Sequence, residues 1–400
     1  MAPPVRGARR GAGWTADRDR LPTSVRAVLS YFARGGRLDL SALRLRPTVE
    51  DRVEAMVREA FDPVEAALAE EFGVPRQEVR FEYDTKLLMP AELALARRYR
   101  DLAREASDGF DPVEREVNPG LLGKVPLPAA LAGESDPIGG EFSDLIRAVE
   151  RAEEVTRFVV AALLDGDMRD AINDDEYGDF RTTIPDADPP RVARVAQSTL
   201  AERVEAGFER YPDEVRAAYD RAVATSEAHQ DRDERFRSLL EDARDGDPGA
   251  EDRIRAEYRD AGFEDPPDAF RSRDLDLPYF RSQYARVGVI YTGMIEMYRA
   301  AGVPLDEAFE RSVVLAIVGA QVWLDDVDDF EADMREGQLT PVTAEYLLAD
   351  SDGEAHDRVV ELTDRYLDRA REYADASDST LNGIAVEYIH RSGNPDVLPR

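Results

Sequence analysis

The chain has 400 residues, 84 acidic against 52 basic, for a net charge of −32 at 43% hydrophobic content. That length admits two average domains or one large helical one with an ample core. The absence of cysteine excludes disulfides, thiolate metal sites and a cysteine nucleophile, and three histidines (His229, His356 and His390) give no basis for a His-rich metal centre.

No stretch reaches about 18 uninterrupted apolar residues, and the start lacks the apolar core of a signal peptide. The expectation is a cytoplasmic protein without a membrane span. Only Lys86 and Lys124 are lysines, and with the large acidic excess this is the pattern of adaptation to high salt. Residues 1–46 reverse the sign, with ten Arg against three Asp. Such a segment would suit anionic lipid or nucleic acid, but screening within about 3 Å at 1 M salt weakens that attraction. It reads as a flexible start with no nucleic-acid partner.

Along the chain, residues 47–119 read as an N-terminal helical region. Thr48 opens an amphipathic segment that ends at Gly73, with a break expected at Pro63. VRFEYDTKLL is ambiguous between strand and helix, and a helix follows over about Pro90–Ala106. Glu114–Pro128, rich in Pro and Gly, is a connection. From about Glu141 a long helix carries apolar residues at three- and four-residue spacing, becomes apolar on all sides at FVVAALL, and meets the acidic run Asp165, Asp167, Asp170, Asp174 and Asp175. DFRTTIPDADPP reads as a loop, and helices over about Arg191–Arg210 and Asp213–Gln230 come next.

The very polar segment 231–272 reads as a solvated insertion with one short helix, packed loosely at the surface or capping the pocket. The core resumes at Leu277 with a helix to Gly302, and another begins after Pro304. Two further helices after Pro341 span about Ala355–Ala374 and Ser379–His390.

The helix after Pro304 turns from wholly apolar to acid-lined at VVLAIVGAQVWLDDVDDFEAD. At about 100° per residue a continuous helix places Asp325, Asp326, Asp329 and Asp333 in one stripe, with Asp328 and Glu331 elsewhere. Carboxylates crowded beside an apolar run call for a cation. Oxygen-only ligands suit Mg2+, which is usually held by one or two carboxylates together with phosphate oxygens. Two apolar helices that each run into an acid cluster would face one another across a pocket with carboxylates at its mouth.

The order and spacing of these residues resemble the class I isoprenoid diphosphate synthases over about Gly120–Arg391. D-D-V-D-D at 325–329, preceded by Gln321, is similar to the family's second D-D-x-x-D motif, and D-M-R-E-G-Q-L-T-P at 333–341 to the stretch that follows it in polyprenyl synthases. The loop between those pieces is missing, so Asp325, Asp329 and Asp333 also look like the N-x-x-x-D-x-x-x-D of squalene and phytoene synthases. G-K-V-P-L-P at 123–128 is similar to G-K-R-x-R-P without its two arginines; D-G-D-M-R-D at 165–170 is a distorted first acidic motif; and E-A-H-Q at 227–230 resembles the G-E-x-x-Q helix.

What this resemblance implies is an all-α bundle around a central apolar cavity, formed by residues 120–400 with the insertion at 231–272. It also implies a Mg2+-dependent prenyltransferase that ionises an allylic prenyl diphosphate. A squalene-, phytoene- or terpene-type synthase, or a non-catalytic partner subunit of a prenyl synthase, is the alternative. Asp165, Asp167, Asp170, Asp325, Asp329 and Asp333 would be metal ligands and Asp325, Asp326 and Asp329 catalytic. Lys124, Arg181, Gln230, Arg286 and Gln321 would bind substrate. Phe158, Val159, Ala162, Tyr291, Met294, Met297, Ile317 and Trp323 would line the cavity. A homodimer, or a heteromer with another prenyl synthase, is the expected assembly.

Overall fold

The computed structural model describes residues 21–35, 40–83, 88–105, 137–173 and 175–400. Among these residues 77% are helical and 2% are in strands, so the described chain is mostly helical, as an all-α fold requires. Lys124 and the expected connection at 114–128 lie outside the described residues, as does Asp174. No helix among the described residues is long and apolar enough to cross a membrane.

Two compact units divide the chain. One holds the N-terminal helix, Tyr219–Gly293 and Asp306–Arg400; the other holds Leu40–Ala218 and Met294–Leu305.

Helix α1 (Thr23–Ala33) belongs to the first unit, so residues 23–33 of the basic start are helical. The second unit begins with α2 (Leu40–Phe72), followed by β1 (Phe81–Tyr83), α3 (Met89–Glu105), α4 (Pro137–Asn173), β2 (Phe180–Thr182) and α5 (Pro189–Phe208). Pro63 does not break α2, which continues through it. The interior proline costs about 3 kcal/mol, and burial of Ala60, Phe61, Val64 and Leu68 around it offsets that cost. The ambiguous VRFEYDTKLL and the expected loop DFRTTIPDADPP each contribute a three-residue strand, and the two pair antiparallel with Glu82 opposite Arg181.

Helices α2, α3, α4 and α5 pack on one another. A buried polar pair, Tyr298 Oη donating to Thr156 Oγ1 at 2.8 Å, ties α4 to residues 294–305 of the same unit.

Helix α6 (Asp213–Gln230) crosses the border at 218/219 and leads into α7 (Asp233–Arg244) and α8 (Ala250–Ile254). After short helical turns come α9 (Val289–Ala300), α10 (Glu307–Ala320), α11 (Phe330–Glu336), α12 (Pro341–Leu348), α13 (Asp352–Ala376) and α14 (Thr380–Ser392). Within the first unit α10 packs along α13, and α1 packs on α14. Gly383 of α14 has no room for a Cβ because the Tyr31 ring of α1 lies against it.

The segment 231–272 is not a loose surface insertion. Phe236, Leu239 and Leu240 recur at helical spacing on α7 and are buried, as are Ala250, Ile254, Tyr258 and Phe270. Its high mean polarity conceals a narrow apolar face, and that face belongs to the core of the first unit.

Candidate functional site

Three of the four-residue steps that an α-helix would make in the first unit are widened into π turns, at Arg255–Arg259, Tyr284–Gly288 and Gln321–Asp325. Such turns are rare and frequently mark functional sites. Here they carry or adjoin Tyr258, Arg286 and Asp326. Arg286 Nη1 donates to Asp326 Oδ1 at 3.3 Å, and Gln283, one residue before the second π turn, donates through Nε2 to Tyr258 Oη at 3.2 Å.

The third π turn decides which acids point inward. α10 does not continue as one helix into the aspartates: the π turn at 321–325 and a break at Asp329 (φ −90°, ψ 1°) interrupt it. The single stripe expected of a continuous helix is therefore redistributed. Asp326 is 2% exposed, Asp325 and Asp333 are half-buried, and Asp329 is exposed together with Asp328.

The turn is held from α14, where the His390 carbonyl accepts from Trp323 Nε1 at 3.1 Å and Gly393 leaves no space between its backbone and the indole. The run after Asp333 has a purely conformational reading as well. Gly337, at φ 79°, ends α11 in the left-handed region, Thr340 caps α12 and Pro341 occupies its first turn.

The electrostatics of this cluster are strained. Burial pushes the Asp326 carboxyl up to about 6, against the pull of Arg286 and the Gln321 hydrogen bond. Burial and the neighbouring Asp326 push Asp333 up to about 7. Asp326 Oδ2 is buried without a hydrogen-bond partner. The Asp333 carboxylate likewise accepts no hydrogen bond from the described residues. Arg286 keeps 34% of its side-chain surface accessible. Burial opposes its charge, but Asp326, Tyr258, Asp333 and Asp233 outweigh that and raise its pKa. The Arg286 guanidinium is thus partly desolvated and still in touch with solvent.

A cationic side of the same cluster escapes sequence reasoning. His229 is buried, and burial with Arg286, Arg232 and Arg281 around it lowers its pKa to about 4, so its ring is neutral at pH 7. Arg232 and Arg281 form no side-chain hydrogen bond or ion pair among the described residues. The E-A-H-Q run holds the only available signal: its Gln230 is exposed, and the adjacent His229 points inward.

The remaining expected residues fall differently. Gln321 donates to Asp326 Oδ1 at 3.5 Å and so helps to position that carboxylate. Arg181 stands exposed on β2. Asp165, Asp167 and Asp170 belong to the second unit, on an α4 that does not stop at the acid run. Asp165 is buried and accepts from Arg169 Nη2 at 2.6 Å and Gln197 Nε2 at 3.0 Å. Asp167 hydrogen-bonds Tyr83, whose phenol pKa is raised by burial first and then by Asp167, with Asp170 a smaller contributor. Of the expected wall residues, all but Ile317 are buried as core. Among the described residues no three His, Asp or Glu side chains form a ready-made metal cage.

The raised carboxyls make a prediction about pH. An acid whose folded pKa exceeds its unfolded value binds extra protons when folded. The stability this supplies is complete below the usual carboxylate range near 4 and is lost as pH rises through the folded pKa. Asp326 at about 6 and Asp333 at about 7 act in this sense, and so does Glu92, raised by burial to about 7 in the second unit. The melting temperature of the metal-free protein is expected to fall between pH 5 and pH 8.5. Asp326→Asn with Asp333→Asn should flatten most of that slope in a thermal scan; an equally steep slope in the double variant would mean that these carboxyls do not titrate in this window.

No protein-family model, no curated protein and no solved structure matches this chain.

Proposed function

We propose that the first unit binds a prenyl diphosphate with Mg2+ and that the protein is an isoprenoid synthase, in the first instance a prenyltransferase. One observation carries the reading: a buried carboxylate with an unpartnered oxygen, Asp326, is paired with a partly accessible arginine, Arg286, and has a second partner-poor acid, Asp333, in its neighbourhood. Acids and arginines left unsatisfied side by side are what a metal-bound diphosphate would satisfy from both sides.

The donor set fits Mg2+. The ion takes only one or two carboxylates when phosphate oxygens complete its octahedron, so a full protein cage is not needed. Asp326 and Asp333, with Asp325, would hold it, and Asp329 would reach it from the exposed rim. Bound there, Mg2+ would neutralise the charge of a leaving diphosphate.

The chain's own residues have distinct tasks in this reading. Arg286, Arg232 and Arg281 bind and orient phosphate oxygens, for which a guanidinium fork is well matched. His229, kept neutral by its surroundings, offers a hydrogen bond without adding a fourth positive charge. Tyr258, whose phenol is fully buried and pushed far above its usual pKa, stays protonated and holds Gln283 behind the Arg286 turn. Trp323, anchored to the His390 carbonyl, fixes the turn from which Asp325 and Asp326 project.

The test is to incubate the full chain with Mg2+ in molar salt and with allylic diphosphates of increasing length, with and without isopentenyl diphosphate, and to identify the products. A longer diphosphate establishes a prenyltransferase, and a hydrocarbon a squalene- or terpene-type synthase. Tight Mg2+-dependent binding without turnover would instead assign the non-catalytic partner role.

A further inference from the structure

The acid segment of the first unit is built in three pieces: the π turn Gln321–Asp325, the short helical turn Asp326–Asp328 and α11. Backbone hydrogen bonds bridge the joints, from the Asp329 N–H to the Asp325 carbonyl at 2.9 Å and from the Asp333 N–H to the Asp329 carbonyl at 2.8 Å. A helix interrupted twice does not by itself hold Asp326 and Asp333 at one separation, and a metal site needs its ligands held closely by a supporting shell.

Residues 393–400, which follow α14, reach all three pieces. At the π turn the Trp323 indole donates to the His390 carbonyl near the end of α14 and lies against Gly393, where a Cβ would overlap it. The 3-10 turn Pro395–Val397 packs directly on Asp326–Asp328. At α11 the link runs through Tyr346 of α12. Its Oη donates to the Pro399 carbonyl at 2.6 Å, and its ring centre lies 4.5 Å from that of Phe330, the first residue of α11.

The stretch is itself fastened. Leu398 is 4% exposed while Val397, Pro399 and Arg400 around it are exposed, so one side chain anchors it. Arg400 donates through Nε to His356 Nε2 of α13 at 3.2 Å and through Nη2 to Asp396 Oδ1 at 2.5 Å. Burial of Leu398 alone would tie the stretch to the core. It would not require that the fastenings fall on each piece of the acid segment in turn, as a scaffold for that segment does.

We propose that residues 393–400, with Trp323 and Tyr346, are a brace that sets the separation and direction of Asp326 and Asp333 and thereby the Mg2+ affinity of the site. The inference rests on the reading of that cluster as a metal-diphosphate site. The brace residues are positioning residues and touch neither metal nor substrate in this account. Mg2+ demands near-ideal octahedral geometry, and loss of an outer partner that orients a metal ligand typically weakens metal binding about 10–100-fold.

The test uses the full chain and two readouts. Amide hydrogen exchange over residues 321–336 in EDTA reports the brace without metal or ligand. Titration of Mg2+ at a fixed concentration of a non-ionisable allylic thio-diphosphate reports the site. In Leu398→Ala the exchange should quicken and the half-saturating Mg2+ concentration should rise about tenfold. Tyr346→Phe, which loses the bond to the Pro399 carbonyl, should shift both readouts in the same direction by less, and Leu398→Met should keep both close to the unaltered chain. Ile384→Ala removes a buried side chain of α14 beside the Gly383–Tyr31 contact; it should lower the melting temperature and leave half-saturating Mg2+ unchanged. Unaltered exchange in Leu398→Ala overturns the brace whatever the cluster binds. Faster exchange with unaltered Mg2+ affinity, or an equal Mg2+ shift in Ile384→Ala, overturns its role at the site. If the unaltered chain binds the analogue without Mg2+, the reading of the cluster fails and the metal role of the brace fails with it.

Discussion

Asp326→Asn should lower turnover on an allylic diphosphate by about a thousandfold, roughly the effect of losing 4 kcal/mol of charge stabilisation at a metal-assisted leaving group. Asn keeps the shape and the hydrogen bonds of the side chain while removing the charge a cation needs. The fold should not suffer. Burial already raises the Asp326 pKa to about 6, so the ionised carboxylate is a burden on the native state above that pH. Asp333→Asn, at the second raised acid, should act in the same direction. Asp328→Asn is the control: Asp328 is exposed and should leave both rate and stability unchanged. The measurement is pyrophosphate release by the three variants alongside their melting curves. Equal losses at Asp326 and Asp328, or a rate loss that tracks a loss of folded protein, would remove the site from this cluster.

Deleting residues 241–268 should abolish the folded state of the first unit. The deletion removes Ala250, Ile254 and Tyr258, which are 0–2% exposed. Each large buried side chain contributes about 2–5 kcal/mol, against a total stability of about 5–15 kcal/mol for a typical protein. It also removes Arg259, whose Nε donates to the buried Glu345 at 2.9 Å, and the Tyr258 carbonyl that accepts from Ser282 Oγ at 2.8 Å. Circular dichroism and thermal unfolding of the deletion protein provide the check. A native-like cooperative melt would show that the segment is dispensable; Ile254→Ala, expected to cost about 2–4 kcal/mol, tests the same point without shortening the chain.

Local chemistry made much of the helical layout legible. Proline at the start of α5, Asp at the start of α6, Asp306 capping α10 and Gly337–Thr340–Pro341 between α11 and α12 all leave their mark in the sequence. Pro63 misled because tertiary burial outweighs the local cost of an interior proline. The segment 231–272 misled because mean polarity hides Phe236, Leu239 and Leu240 on one face of α7.

The acid cluster was legible as a cluster but not as a geometry. A single residue added by the π turn rotates everything after it, so Asp329 moves outward while Asp326 becomes the buried acid. Nothing in QVWLD announces a π turn. The arginines opposite, Arg232 and Arg281, come from the turn after α6 and from the segment before the second π turn. Their convergence on His229 is set by packing between segments about 50 residues apart in a chain rich in arginine, which periodicity cannot foresee.

If Asp326, Asp333 and Arg286 form one metal-dependent diphosphate site, ligand binding must reveal it without turnover. A non-ionisable thio-diphosphate analogue of an allylic substrate would be titrated into the full chain in molar salt, with Mg2+ and with EDTA. Binding is predicted to require Mg2+ and to weaken at least tenfold in Asp326→Asn and in Arg286→Gln, with both variants still folded. Binding that is indifferent to Mg2+ and unchanged in both variants would contradict the account.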